Sequence, residues 1–402
     1  MQRGPSSSLL PVNPFDPRTR PDPYPIYQYM RAVEPVHKSP VGFWILTRYA
    51  DCRAALEDKR WSHNADRILE PGRGPVDPVD PTVRLLRASV AFADGTRHKS
   101  HMRPLEAAVR KASVKAGPRA KKVAGDLIQL MREKKTKVDL MRDFARPLSL
   151  VVIADMLGLP APDRGEVFRW SRELATGLDP SVRSVGVIKA SAAATAMIEY
   201  LLDRLEDEPQ AASRGVIADL SASRGKLRTW EVVADLAALL VIGLEATAGL
   251  IGNGMLALAR NPEQMKKLAA EPALMESALE ELARFDGPVH LTARVAAEEV
   301  EIGGKKIAAG ELVIVLLAAA NRDGAHFTDP DTLNLARQGN DHLGFGAGSH
   351  ACFAASTARL LAGTAINSLL AELDDIELAG EPGWNDSVTL RGLSHLPITF
   401  RT

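Results

Sequence analysis

The amino-acid sequence predicts a mainly α-helical fold with small β-sheets. Three observations carry this expectation. Residues 97 to 206 read as a near-continuous succession of helical patterns, interrupted where Gly and Pro intervene, at Gly117, at Gly158 to Pro162 and near Gly177 to Pro180. The stretch from Trp230 to Ala259 sustains helical patterning, with Thr229 as candidate N-cap and Asn261 and Pro262 as its end. As a helix it is a rod of ~45 Å, long enough to cross the whole molecule. Finally, β-prone runs are short and few, chiefly Phe43 to Thr47, Val300 to Ile302 and Leu312 to Leu316.

Taken in order, residues 1 to 24 are Pro-rich and read as an extended arm. Helical periodicity follows at Ile26 to Ala32. After the Phe43 run, Asp51 to Leu56 is helical and carries Cys52 on its first turn, which suits a packing role. Pro71 to Pro81 is rich in Gly, Pro and Asp and reads as a long loop able to border a ligand site. Beyond the long helix, a further helix is expected over Pro272 to Phe285, then two β-runs joined by Gly-rich turns. A loop-rich stretch from Asn321 to Ser349 leads into a last helix, Ala351 to Leu373, and a hairpin-like C-terminus. No repeat or linker divides the chain, so residues 1 to 402 are expected to form a single domain.

Composition excludes more than it assigns. Basic and acidic side chains number 50 each, so the chain has no broad field for nucleic acid or anionic lipid. The longest apolar stretches, Leu148 to Ala154 and Leu236 to Leu244, fall short of the ~20 residues that span a bilayer, and no transmembrane helix is expected. Met1 to Asp16 lacks the apolar core of a signal peptide, which favours a cytoplasmic location. The two cysteines, Cys52 and Cys352, allow at most one disulfide and fit a reducing compartment.

The most informative segment is His342 to Leu360, HLGFGAGSHACFAASTARL, in which Gly344, Gly346 and Gly348 precede a cysteine that opens a helix. Glycines let a backbone approach a flat cofactor closely, and a helix N-terminus with neighbouring N–H groups stabilises a thiolate. A Gly-rich turn with a buried free cysteine is the plain alternative. A zinc site is a poor rival, because His350-x-Cys352 has no second pair at ligand spacing.

This segment resembles the haem-binding loop of the cytochromes P450, Phe-x-x-Gly-x-x-x-Cys-x-Gly, often with His two residues before the Cys. Phe345, Gly348, His350 and Cys352 match, Gly346 lies in the same loop, and the final Gly is Ala354 here. The resemblance implies the P450 fold, a haem b held by Cys352, and a thiolate that favours O–O cleavage, a property for which this family is itself the standard example.

A second match is Glu281 to Arg284, similar to the family's Glu-x-x-Arg helix, followed by Arg294 at the spacing of a haem-propionate ligand. Arg337 falls where the family completes a structural Glu/Arg/Arg network. On spacing alone, Glu281 and Arg284 are equally an ordinary helix-surface pair. In the long helix, LLVIGLEATAGLIGNG resembles the family's Ala-Gly-x-Asp/Glu-Thr-Thr motif: Gly243 makes room for dioxygen and Glu245 serves proton delivery. Read without the family, Glu245 is a carboxylate at the edge of a buried face. The first Thr of the motif is Ala246, and Thr247 points about 100° away around the helix.

Nearer the N-terminus, FADGTRHKSHMR is similar to the stretch that supplies a propionate-binding His, here His98. A surface histidine on a basic helix is its alternative. Met102 stands where an Arg normally reaches the other propionate, leaving His101 or Arg103 as substitutes. By analogy with family positions, Ile242, Val289, His290 and Leu393 are candidates for a mainly apolar substrate pocket. The loop from Asn64 to Pro81 and the region from Val167 to Ile188 complete it.

The resemblance runs from about Asn13 to the C-terminus and implies a monomeric haem-thiolate monooxygenase of the bacterial ferredoxin-dependent class. Such an enzyme hydroxylates, epoxidises or couples a small organic substrate, often in specialised metabolism. No segment resembles a flavin or nicotinamide domain, so electrons are expected from a ferredoxin and its NAD(P)H-dependent reductase. The basic cluster Arg97, Lys99, Arg103, Arg110 and Lys111 could meet that acidic partner. Ala246, Met102 and Ala354 keep two other readings open, a non-catalytic haem-binding accessory protein and a peroxide-driven oxidase.

Overall fold

The computed structural model describes residues 13–69, 79–134, 137–177, 179, 184–207, 215–222 and 227–401. Most of the Pro71 to Pro81 loop, part of the Val167 to Ile188 region and the start of the N-terminal arm lie outside them.

The organising element is the helix Thr229–Ala259, 31 residues long. It contacts the helices Pro81–Ala88, Arg146–Leu157, Arg164–Gly177, Ser184–Asp207, Met275–Asp286 and Ala355–Glu372. Leu240, Leu244, Leu250, Ile251, Met255 and Leu258 are buried on different sides of it, as expected of a helix apolar all round. By length and composition this helix could cross a membrane, but most of its surface is packed against protein, so it reads as a core element. Close approach demands glycine at Gly252, where a β-carbon would lie 2.3 Å from the sulfur of Met141. Thr229 is the first helical residue rather than the cap. The cap is Arg228, whose backbone N–H donates to Glu231 Oε2 at 3.0 Å.

Other boundaries shift for local reasons. Gly117 lies inside the helix Ala116–Glu133, because the chain turns just before it, at Val114 and Lys115. The expected helix from Pro272 splits into a 3₁₀ turn, Pro272–Leu274, and the α-helix Met275–Asp286. The last helix is Ala355–Glu372, so Cys352 precedes it by a turn instead of opening it, and a 3₁₀ turn, Gly348–His350, comes just before the cysteine.

The main sheet has five strands in the order Val36–Lys38, Trp44–Leu46, Leu312–Val315, Thr292–Ala296, Trp61–Ser62. Only the pairing of Trp44–Leu46 with Leu312–Val315 is parallel. The register sets Arg294 opposite Val313. Cys52 is fully buried beneath this sheet, its thiol 3.3 Å from the Leu46 carbonyl, in the packing role expected of it. The strand Lys305–Ile307, which pairs with Val300–Ile302, was not legible in the sequence because its two lysines mask the alternation. At the C-terminus, Pro397–Arg401 pairs with Asp374–Leu378 and also with Lys137–Asp139, so the expected hairpin is part of a three-stranded sheet.

Candidate active site

The loop before the last helix is shaped by glycine. Gly346 and Gly348 take left-handed conformations, φ 72° and 68°, and a β-carbon on Gly348 would sit 2.4 Å from the Leu56 carbonyl oxygen. The loop closes through the Cys352 N–H, which donates to the Phe345 carbonyl at 2.8 Å. The Cys352 side chain remains accessible, although the protein around it raises its thiol pKa above the ordinary value; the Ala354 N–H and the Arg359 charge act in the opposite sense.

Behind the loop, the Arg359 guanidinium stacks 4.2 Å above the Phe345 ring and is held by Glu280. His342 meets the same carboxylate at 3.2 Å. Neither Arg359 nor Glu280 was singled out from the sequence.

The Glu281 group is fully buried. Arg284 makes a two-pronged pair with Glu281 at 2.7 and 2.8 Å, and Arg337 reaches the same carboxylate at 3.0 Å. Arg284 also donates to the carbonyls of Asn321 and Pro330, tying the Glu281 helix to the segment that leads into the Cys352 loop. With both Glu281 and Arg284 shielded from solvent, the surface-pair alternative falls.

A concentration of cation-capable groups lies beside the loop. His98 is buried, with its ring centroid 4.3 Å from that of His350. His63 is 4.9 Å from His350 on another side. Arg294 is buried and donates only to the Ala293 carbonyl and the Thr292 hydroxyl; among the described residues no carboxylate lies within ion-pair distance. Burial pulls its pKa down, against the more distant pull of Asp94. His98 Nε2 and His63 Nδ1 are buried without a hydrogen-bond partner among the described residues. A buried guanidinium without a counter-ion, beside unpartnered ring nitrogens, is a site built for an anionic group. The carboxylates of a porphyrin fit it.

The substitutes expected for Met102 do not serve. His101 is directed at Glu231, 3.1 Å away, and Asp235, 3.8 Å away, while Arg103 faces solvent. Met102 itself packs half-buried against the main core. Arg97 is likewise drawn inward from the basic cluster, donating to the carbonyls of Arg87 and Ala88.

On the long helix, Ile242 is 42% exposed although Val241 and Leu244 are buried, and Ala246, one turn on, is half-buried on the same side. A β-carbon at Gly243 would meet only Ile153, at 3.8 Å. These positions border open space. Thr247 is buried on a different side, as the helical geometry required. Glu245 Oε1 lies 3.5 Å from Arg172 Nε, on the helix Arg164–Gly177.

Two pocket assignments are corrected. His290 is buried away from this space: its ring contacts the Tyr27 hydroxyl at 3.3 Å and Asp286 at 3.6 Å, because its backbone N–H is bound to Thr389 and the side chain turns toward the N-terminal arm. Leu393 is 1% exposed and packs near Gly252 in the main core. Val289 is half-buried, bridged through its backbone to Leu390. Among the described residues no group of three or more His, Cys, Asp or Glu side chains could hold a metal ion, so the zinc alternative has no support there.

A lone thiol on a glycine-shaped loop, with a carboxylate-binding pocket at its side, describes the class of haem-thiolate oxidoreductases. Residues 191–374 match the family model described as Cytochrome P450. The chain is 36% identical over 390 residues to the vitamin D(3) 25-hydroxylase of Pseudonocardia autotrophica, covering 94% of each. It is 33% identical over 393 residues to the cytochrome P450 monooxygenase PikC of Streptomyces venezuelae, covering 94% of this chain and 91% of that protein. Among solved structures, P450BioI in complex with an acyl carrier protein ligated to hexadec-9Z-enoic acid aligns with a TM-score of 0.90 at 30% identity, over 96% of this chain and 99% of that one. The chain belongs to the cytochrome P450 family. It is a cytochrome P450 monooxygenase with haem iron as its cofactor, acts on a small molecule, and takes its electrons from redox partners.

Proposed function

We propose that the whole chain forms one domain that binds haem b, which the Cys352 thiolate would hold, with Phe345 and Gly346 of the same loop contributing to its bed. His98, Arg294 and His350 would hold the propionates. The observation that carries this reading is the buried Arg294 without a carboxylate partner among the described residues, taken together with the unpartnered Nε2 of His98. When bound, the haem supplies the activation of dioxygen for monooxygenation. Glu281, Arg284 and Arg337 lock the Cys352 loop to the helical core, while Ile242, Gly243 and Ala246 leave room for dioxygen and an apolar substrate. Glu245 would serve proton delivery on that side.

A ferredoxin and its NAD(P)H-dependent reductase supply the electrons, with no flavin or nicotinamide bound to this chain. Lys99, Arg103 and Arg110 are exposed and form the basic part of the docking face; Lys111 is paired with Asp219. The enzyme acts as a cytoplasmic monomer, with neither nucleic acid nor membrane as partner. Its substrate belongs to specialised metabolism, a reading supported by the polyketide biosynthesis cytochrome P450 PksS of Bacillus subtilis, 30% identical over 395 residues, and by the pentalenic acid synthase of Streptomyces avermitilis, 31% identical over 401 residues.

The test is the reduced carbon monoxide complex. Wild type and Cys52→Ala should show the thiolate-type Soret band, and Cys352→Ala should lose it. Retention of the band in Cys352→Ala would overturn the assignment. NADPH oxidation with product formation in a ferredoxin-reconstituted system separates turnover from an accessory, ligand-holding role.

A further inference from the structure

We propose that His63 is an additional haem-propionate donor, taking the place of the arginine that is Met102 in this chain. This rests on the haem reading above. His63 follows the strand Trp61–Ser62, remote in sequence from the His98 helix and from the Cys352 loop. The fold nevertheless brings its ring to 5.0 Å from Phe92 and 4.9 Å from His350, measured between centroids.

Asp94 fixes the arrangement. Its carboxylate accepts the His63 backbone N–H at 3.0 Å and the Ser62 hydroxyl, and lies 3.8 Å from His350 Nε2. His63 and His350 are thereby set around one carboxylate while the His63 ring stays free of it. Its Nδ1 is buried and has no hydrogen-bond partner among the described residues. Native structures seldom leave such an atom unpaired, so the position calls for a polar group supplied by a ligand.

The need for this donor is equally visible. An arginine at position 102 would give an anion two parallel donors, and neither His101 nor Arg103 replaces it, since the first faces Glu231 and the second faces solvent. Burial, with the positive charge of Arg294 next, pushes the His63 pKa well below its ordinary value. The Ala91 backbone also interacts with the ring, so the unpartnered Nδ1 is what points to a ligand; a histidine used only for packing would tolerate an aromatic replacement.

Haem-replete His63→Phe, which preserves ring size and removes both nitrogens, provides the test, with transfer of haem to apomyoglobin as the readout. Release should be roughly tenfold faster than in wild type, the loss of one hydrogen bond to a charged group. The thiolate-type Soret band should be unchanged and the propionate bending mode in resonance Raman spectra shifted. His63→Asn keeps an N–H on a shorter side chain and should release haem at an intermediate rate. Adding Met102→Arg to His63→Phe should restore slow release. Release from His63→Phe within about twofold of wild type, with an unshifted propionate mode, would overturn the proposal while leaving the haem reading intact. A wild-type protein without the thiolate-type band would remove both. Should His63→Phe fail to accumulate, the Asn variant and Met102→Arg in the wild-type background decide: unchanged release in the first and no slowing in the second would count against it.

Discussion

The carboxylate of Glu245, on the long central helix, faces the guanidinium of Arg172 across 3.5 Å, on a helix packed over it. A carboxylate in an apolar helix needs a partner or water, and here the partner comes from an element that borders the substrate side. Arg172 is about half exposed and Glu245 is mostly shielded, so the pair links solvent to the long helix.

Glu245→Gln, which keeps size and removes the acid, should therefore slow product formation by roughly 100-fold, the usual contribution of a positioned acid or base. Haem content and the thiolate-type band should be unchanged. Arg172→Ala should leave haem binding intact and alter the pH profile of turnover. Steady-state rates in a reconstituted system check both, and a Glu245→Gln enzyme with wild-type rates would exclude this residue as the proton source.

Arg284→Ala should damage folding and haem incorporation rather than any chemical step. The substitution leaves Glu281 buried with only Arg337 as charged partner and frees the carbonyls of Asn321 and Pro330. Breaking a buried pair in this way destabilises by about 3–5 kcal/mol. Denaturant unfolding and haem-to-protein ratio are the measurements; a well-folded, haem-replete variant with impaired turnover would show the network to be more than structural.

These two sites also show what a linear sequence can reveal. Glu281 and Arg284 stand three residues apart and Cys352 sits in a tight glycine pattern, so both could be matched to short family motifs, although the spacing of the Glu281 pair fits a surface pair equally well. The long helix is legible directly, since its apolar patterning is continuous. Side-chain direction is not local. His290 was placed in the pocket because it follows the Glu281 helix closely, yet a single backbone bond to Thr389 accompanies a ring turned toward Tyr27. Arg103 was an available cation beside Met102, but the helix turns it to solvent. His63 escaped notice because its meeting with His350 and Asp94 joins three distant segments, and no spacing encodes that.

Glu280 should give the protein an acid-sensitive component of stability. Burial raises its pKa, but the hydrogen bonds from His342 and Arg359 more than offset this and hold it down at about 2, from an ordinary 4.5. A carboxylate with a depressed folded-state pKa contributes stability that is fully present above pH 4.5 and lost as pH falls toward 2. Glu280→Gln should thus be less stable than wild type near pH 7, with the gap closing across that window. Denaturation midpoints measured at a series of pH values check this. A gap independent of pH would mean that the carboxylate is not depressed by its partners.

The hydroxyl missing at Ala246 should make coupling depend on the substrate. Glu245 keeps the acid on the long helix, but its nearest usual relay is gone, and Thr247 is buried on another side of the helix. A water bridging the acid to the reaction centre needs two or more polar partners, and Ala246 offers none from its side chain. A hydroxyl or carbonyl of the substrate, lying over the half-buried Ala246, is the simplest replacement. Good substrates should then yield product close to the NADPH consumed, whereas analogues lacking the polar group should bind, shift the haem spin state and release peroxide instead. Ala246→Thr should restore part of the coupling with the deficient analogues and help the natural substrate little, because the new side chain fills the space that substrate uses. If deficient analogues couple as well as the natural substrate in the wild-type enzyme, the relay belongs to the protein, and Thr247→Val becomes the variant that should uncouple it.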